Sequence, residues 1–145
     1  MATAVVRTSG SALYPLHPLH AFFLAGIVPL FLAALLSDYA YWVSYQLQWK
    51  NFASWLLVGA LVFNGLAWLG SIVSLMRVEH RRGEALSYFL LLLAAWVLGL
   101  INSLVHAEDA WASMPTALIL SVITVILACV ATWIGFASWR TGGAR

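Results

Sequence analysis

The sequence predicts an all-α polytopic membrane protein, an antiparallel bundle of four transmembrane helices. Of its 145 residues, 63% are apolar and only 8% are charged, whereas soluble globular domains carry about 25% charged residues. The mean hydropathy is +0.94. The apolar residues form long uncharged runs, each sufficient for a span of about 20 residues. Because lipid cannot satisfy backbone polar groups, such runs predict helices, and a barrel would instead show short alternating strands.

The first predicted helix covers residues 18–44. Asp38 is its only charged residue, and Pro18 suits the first turn of a helix, where a missing N–H costs nothing. The apolar core is longer than that of a secretory signal, so we expect a retained span.

The other three helices are predicted at 52–76, 85–106 and 115–139, where charged residues are absent or confined to the ends. The connections between them are short. Short connections make consecutive helices antiparallel neighbours, so residues 1–145 are expected to form a single membrane domain with up-and-down topology.

The basic residues predict the orientation. Six of the seven lie on one side of the predicted bundle: Arg7, Arg77, Arg81, Arg82, Arg140 and Arg145. By the positive-inside rule this side is the cytoplasm. Both termini are therefore expected inside, and the protein is predicted to be a multi-pass membrane protein. Lys50 and the Glu108–Asp109 pair then lie on the outer side.

Composition also limits the chemistry. The single cysteine, Cys129, excludes a disulfide within the chain and any Cys-x-x-Cys motif, and we expect it to be a small buried side chain. No phosphate-binding loop or basic stripe is present, so nucleic acid is not an expected partner. Small residues at four-residue spacing, such as Ala95, Gly99 and Ser103, favour close helix packing. The expected partners are lipid and other membrane subunits or further copies of the chain.

Three histidines form a candidate inner-side site for haem or a metal. His17 and His20 are three residues apart in YPLHPLH, and His80 lies in the loop RVEHRRGE on the same side. Neutral imidazole is the commonest metal ligand. The alternative is that these imidazoles stay at headgroup level and bind carbonyl groups and lipid phosphate.

A second candidate cluster lies on the outer side. It consists of Asp38, Asn102, His106, Glu108 and Asp109. An ionisable residue within a span is a functional candidate by default. Asn102 and His106 are four residues apart and share a helix face. We expect an Asp38–His106 pair with Asn102 beside it, either as a structural network or as a cation site.

Depth separates the two clusters. Asp38 follows His20 by five helical turns, about 27 Å along the axis. His20 and His106 then lie at opposite surfaces, about 30 Å apart, and cannot ligate the same iron. A haem b site would need His17 or His20 together with His80.

The chain resembles a known family. HPLHAFF opens the first span, an aspartate lies near its end, NSLVHAEDAW closes the third, and the fourth ends in a T-W-I-G turn. In these features it is similar to the bacterial four-helix inner-membrane proteins catalogued as domain of unknown function 2231. The resemblance covers residues 16–139. The matching positions are His17, His20, Asp38, Asn102, His106, Asp109 and Trp111.

This resemblance implies four helices and a bacterial plasma membrane, and it brings no established reaction. The chain departs from the family in two places. GLAWLGSIVSLM lacks the acidic residue that members often carry late in the second helix, and Glu108 replaces a common basic residue. The first change weakens an inherited proton relay or cation site, and the second slightly favours one.

Three functions follow from these features. The favoured one is a non-catalytic subunit, anchor or interaction partner in a larger membrane complex. The alternatives are a haem b electron-transfer protein using the inner histidines, and ion or proton handling through the outer Asp/His cluster. An enzyme is disfavoured because His106 has no nucleophile at a suitable fixed spacing.

Overall fold

The computed structural model describes residues 17–77, 82–108 and 112–140. These residues form four α-helices: α1 (Pro18–Ser44), α2 (Leu47–Arg77), α3 (Arg82–Ala107) and α4 (Thr116–Arg140). All four are long and apolar enough to cross a membrane. The predicted all-α class with four spans is confirmed, and the described residues include no strand.

The turn between α1 and α2 is tighter than the sequence suggested. α2 begins at Leu47, where the apolar run predicted a start at residue 52. Tyr45 adopts a left-handed conformation (φ 55°), and its N–H donates to the carbonyl of Tyr41 at 2.7 Å. A left-handed residue ends a helix abruptly. Lys50 therefore lies in the first turns of α2, and not in a loop.

The start of α1 uses its histidine as a cap. Nδ1 of His17 accepts a hydrogen bond from the N–H of Leu19 at 3.3 Å, and Pro18 occupies the first helical position. A side chain that accepts from an early N–H satisfies one of the unpaired donors of a helix start. Pro29 lies inside α1 without ending it.

The four helices form a ring. Each helix packs against its neighbours in the chain, and α4 closes against α1, so that α1 and α3 lie diagonally opposite. The buried positions of each helix alternate between spacings of three and four. On α1 they include Leu24, Ile27, Phe31, Ala34, Asp38 and Tyr41; on α3 they are Tyr88, Leu92, Ala95, Gly99, Asn102 and His106. This mean spacing of about 3.5 residues is typical of left-handed bundles.

The interior contains many small and polar residues beside a few large apolar ones, while many more large apolar side chains face outward. Leu19, Met76 and Trp133 are among the exposed ones. This distribution suits lipid, where apolar side chains contact acyl chains and small residues let helices approach. Cys129, which we expected to be buried, is exposed on this outer surface. The expectation is wrong because α4 places Ala128 in the interior instead.

Three α1–α3 pairs lie along the bundle axis in a constant register, each 68 positions apart. Nε2 of His20 meets the hydroxyl of Tyr88 at 2.9 Å. Phe31 packs against Gly99, where an added Cβ would lie 3.1 Å from the ring. His106 meets Asp38 at 2.7 Å. The bundle therefore has two polar ends, the His20 end and the Asp38 end, and the Phe31–Gly99 contact lies between them.

Candidate functional site

The Asp38 end holds a buried acid–base pair. Oδ1 of Asp38 on α1 lies 2.7 Å from Nε2 of His106 on α3. Asp38 has no exposed surface and His106 only 5%. A carboxylate within a span is costly unless it is paired and hydrogen-bonded, and the diagonal contact between α1 and α3 supplies that partner.

Residues of α3 fix the orientation of the imidazole. Nδ1 of His106 lies 2.9 Å from the backbone carbonyl oxygen of Asn102, one turn earlier. A carbonyl can only accept, so Nδ1 carries a proton and donates it. The second ring nitrogen is therefore the one presented to Asp38.

A serine of α4 completes the site. The side-chain Nδ2 of Asn102 donates to Oγ of Ser121 at 2.7 Å, and that hydroxyl donates to Oδ2 of Asp38. The chain of hydrogen bonds thus runs from the Asn102 amide through Ser121, Asp38 and His106 back to the Asn102 carbonyl. Three helices are joined by this closed ring.

The ring determines how many protons the pair holds. Oδ2 of Asp38 accepts from Ser121 and Nδ1 of His106 donates to Asn102, so both outer atoms of the pair are already hydrogen-bonded. Two lone pairs cannot face each other at 2.7 Å; one proton must lie between Oδ1 and Nε2. The pair is either carboxylate with imidazolium or carboxylic acid with neutral imidazole. Both forms are neutral overall.

One edge of His106 lines an open pocket of about 270 Å³. Its other lining residues are Leu47, Lys50, Asn51 and Ser54 of α2. Nζ of Lys50 donates to the backbone carbonyl of Glu108 at 2.6 Å, which joins the start of α2 to the end of α3. Glu108 thus contributes its backbone here, and the candidate residue Asp109 lies outside the described residues.

The His20 end is simpler. Besides the bond to Tyr88, the second ring nitrogen of His20 is buried without a hydrogen-bond partner among the described residues. The ring lies against Gly70, where any Cβ would collide with Nδ1. His17 is exposed and caps α1, while His80 lies outside the described residues. The described residues contain no group of three or more metal-ligating side chains.

Sequence reasoning missed two participants, Ser121 and Tyr88. Tyr88 is only 7% exposed and bonds His20. The signal that could have found both is the interior spacing of three and four. Counting back from His106 in these steps reaches Tyr88, and the same rule on α4 links Ser121 to Thr124 and Ala128.

These features define an integral membrane protein of four helices with a buried Asp–His–Ser–Asn ring near one end. The chain belongs to the family described as predicted membrane protein (DUF2231), whose family model matches residues 16–143. No curated protein and no solved structure matches it.

Proposed function

We propose that this protein handles protons, and that the Asp38–His106 pair is the group that takes up and releases them. The observation that carries the proposal is the contact of 2.7 Å between Oδ1 of Asp38 and Nε2 of His106. A neighbouring carboxylate and imidazole share a proton at little cost because the pair is neutral whichever of the two groups holds it. Ionisable groups within a membrane typically mark such proton or ion sites.

The surrounding bonds support exchange at this one position. Ser121 and Asn102 hold the carboxylate and the imidazole from the sides that face away from the shared proton. Gaining a second proton would leave the pair positive, and losing the first would leave it negative. Either change would alter the strength of the hydrogen bonds that the pair makes with Ser121 and with the Asn102 carbonyl, which belong to two different helices. Protonation is thereby linked to helix packing.

The pocket beside His106 supports a route to one membrane face. It opens at the end of the bundle where α1 turns into α2, so protons would exchange with the aqueous phase on that side. The basic residues predict that this side is the outer one. Lys50 is one of the residues that line this pocket.

The other two functions remain predictions from the sequence. A role as a non-catalytic subunit is compatible with a proton site. Haem b binding at the inner histidines is less favoured because His17 caps α1 and His20 bonds Tyr88.

Isotope-edited infrared spectroscopy tests the proposal directly. The purified protein in lipid nanodiscs, with labelled aspartate, is compared between acidic and alkaline buffer. We expect carboxyl and imidazole bands to change together as the pair gains or loses a proton. The chain has a second aspartate, Asp109, which provides a matched control. The bands should persist in Asp109→Asn and disappear in Asp38→Asn.

The opposite result has an equally clear meaning. If the bands assigned to Asp38 and His106 stay constant over the whole pH range in which the protein remains folded, the ring is a static structural network. The proposal would then be rejected.

A further inference from the structure

The bundle interior contains a second polar layer that the Asp38–His106 pair does not use. Asn64 on α2 has no exposed surface, and neither its Oδ1 nor its Nδ2 has a hydrogen-bond partner among the described residues. The hydroxyl of Thr132 on α4 is likewise buried and unpartnered within that part of the chain. An amide buried this way is costly unless it is hydrogen-bonded.

Helix register places Asn64 and Thr132 at one level. Gly26 packs against Phe63, the residue before Asn64. Two contacts fix the register between α1 and α4: Asp38 meets Ser121, and Leu24 lies against Gly135. In this register Thr132 lies at the level of Ile27. The helices α2 and α4 are diagonally opposite and face each other across the bundle axis. Three unpartnered polar atoms therefore lie in one layer, and a buried water typically binds two to four such groups.

A single aromatic ring lies between this layer and the Asp38 end. Phe31 is 1% exposed and packs on Gly99. Ala60 and Ala128 near its level are small, whereas Leu57 of α2 is fully buried there and Leu61 shares with Phe31 the space beside Gly99. Oδ1 of Asn102, which lies on the Asp38 side of the Phe31 ring, is also buried without a partner among the described residues. From the rise per residue, the layers of Asn102 and Asn64 are about 13 Å apart.

Below Asn64 the interior is apolar for one more layer before the His20 end. Leu24 and Leu92 are fully buried there. His20 then presents Nδ1, the indole Nε1 of Trp68 is similarly unpartnered in the described structure, and Tyr88 bonds His20. Polar and apolar layers thus alternate along the axis from the pocket beside His106 to the start of α1.

We infer that Asn64 and Thr132 form an internal water-binding site, and that this site is an intermediate station on a proton path along the bundle axis. The path rests on the proposed proton exchange at Asp38 and His106, and it continues through Asn64 to His20. Phe31 is its main barrier, because it is the largest fully buried side chain among the described residues and lies between the two amides. Water entering that layer would connect the amides of Asn102 and Asn64.

Proton flux into liposomes tests this path. The full-length protein is reconstituted with a trapped pH-sensitive dye, and a potassium diffusion potential drives proton entry. Phe31→Ala should raise the flux about tenfold or more over the wild type, which corresponds to a barrier lower by about 1.4 kcal/mol. The matched control is Phe23→Ala on the same helix, because Phe23 is only partly buried and makes edge-to-face contacts with Phe22 and Phe63. It should leave the flux unchanged.

Two further variants locate the route. Adding Asn64→Leu to Phe31→Ala should return the flux to the wild-type level, and so should adding Asp38→Asn. Circular dichroism and a thermal melt report folding of each variant. If Phe31→Ala does not fold, Phe31→Leu replaces it and should raise the flux in the same direction by a smaller factor.

The outcomes separate this inference from the proposed function. If a folded Phe31 variant conducts no more than Phe23→Ala, or if Asn64→Leu leaves the raised flux intact, the interior path is wrong. The infrared titration of Asp38 and His106 is unaffected by that result. If the pair fails to titrate but the flux responds to Phe31 and Asn64 as expected, the proton handling by the pair is wrong and the conduit stands without it.

Discussion

The two histidine sites of this bundle share one helix register but differ in how the imidazole is hydrogen-bonded. Both pair α1 with α3 across the diagonal, His20 with Tyr88 and Asp38 with His106. At the Asp38 end both imidazole nitrogens are bonded and a third helix joins the ring through Ser121. At the His20 end one nitrogen is bonded and the other is left without a partner within the described structure.

This difference follows from the chemical partner of each imidazole and not from its position, because the two pairs share one register. A carboxylate can share a proton with imidazole, whereas a phenol gives His20 one ordinary hydrogen bond. The His20 ring is instead held by shape, since it fills the space that Gly70 leaves on α2. We therefore expect substitutions at the Asp38 end to have larger consequences than those at the His20 end.

Removing the carboxylate should have the largest effect on stability. Asp38→Ala leaves Nε2 of His106 and the hydroxyl of Ser121 buried without their acceptor. Breaking a buried pair by deleting one partner costs about 3–5 kcal/mol. Unfolding of the purified protein in mixed micelles with increasing denaturing detergent measures this loss.

Replacing a second acidic residue, Glu108, controls for the loss of a negative charge in Asp38→Ala. Glu108 is exposed near the same end and contributes its backbone carbonyl to Lys50, so Glu108→Ala should change stability by less than about 0.5 kcal/mol. Equal effects of the two substitutions would contradict the view that the ring holds α1, α3 and α4 together.

The difference between the ends was only partly predictable from the sequence. Length and hydropathy are sufficient for the four spans, because lipid forces every long apolar run into a helix. Asp38, Asn102 and His106 could be placed near one another from turn counting along α1 and α3. Ser121 could not be identified by charge or motif, since a hydroxyl in an apolar helix ordinarily bonds its own backbone, as Thr124 does to Leu120.

The His20 end was harder still, because its main constraint is steric. The residues that flank Gly70 do not predict that an imidazole lies against it, because this contact depends on the register between α1 and α2. The exposure of Cys129 shows the related difficulty that both faces of these helices are apolar. Interior and lipid-facing positions then differ in side-chain size more than in polarity.

An intermediate effect is expected from filling the space beside His20. In Gly70→Ala the new Cβ would collide with Nδ1 of His20, and the ring would have to turn away from Tyr88. Overpacking of this kind costs about 1–3 kcal/mol. The matched control is Gly83→Ala at the start of α3, where an added Cβ meets nothing within 4 Å. It should be neutral or slightly stabilising because alanine is the better helix former.

Both glycine variants are compared by thermal melting in the same detergent. If Gly70→Ala melts no lower than Gly83→Ala, the His20 ring does not depend on that contact, and the steric explanation of this end is wrong.

The smallest effect should come from removing the one hydrogen bond at the His20 end. Tyr88→Phe keeps the ring and its packing but takes away the hydroxyl that lies 2.9 Å from Nε2 of His20. A single neutral hydrogen bond contributes about 0.5–1.5 kcal/mol, well below the loss expected for Asp38→Ala. The same detergent unfolding assay gives the value, and the imidazole nitrogen signals of His20 in a nuclear magnetic resonance spectrum report the local change. The signals of His106 should stay where they are, because about 27 Å of bundle separates the two ends. A shift of His106 in Tyr88→Phe would mean that the ends are coupled through the interior, and the two sites would then have to be treated as one.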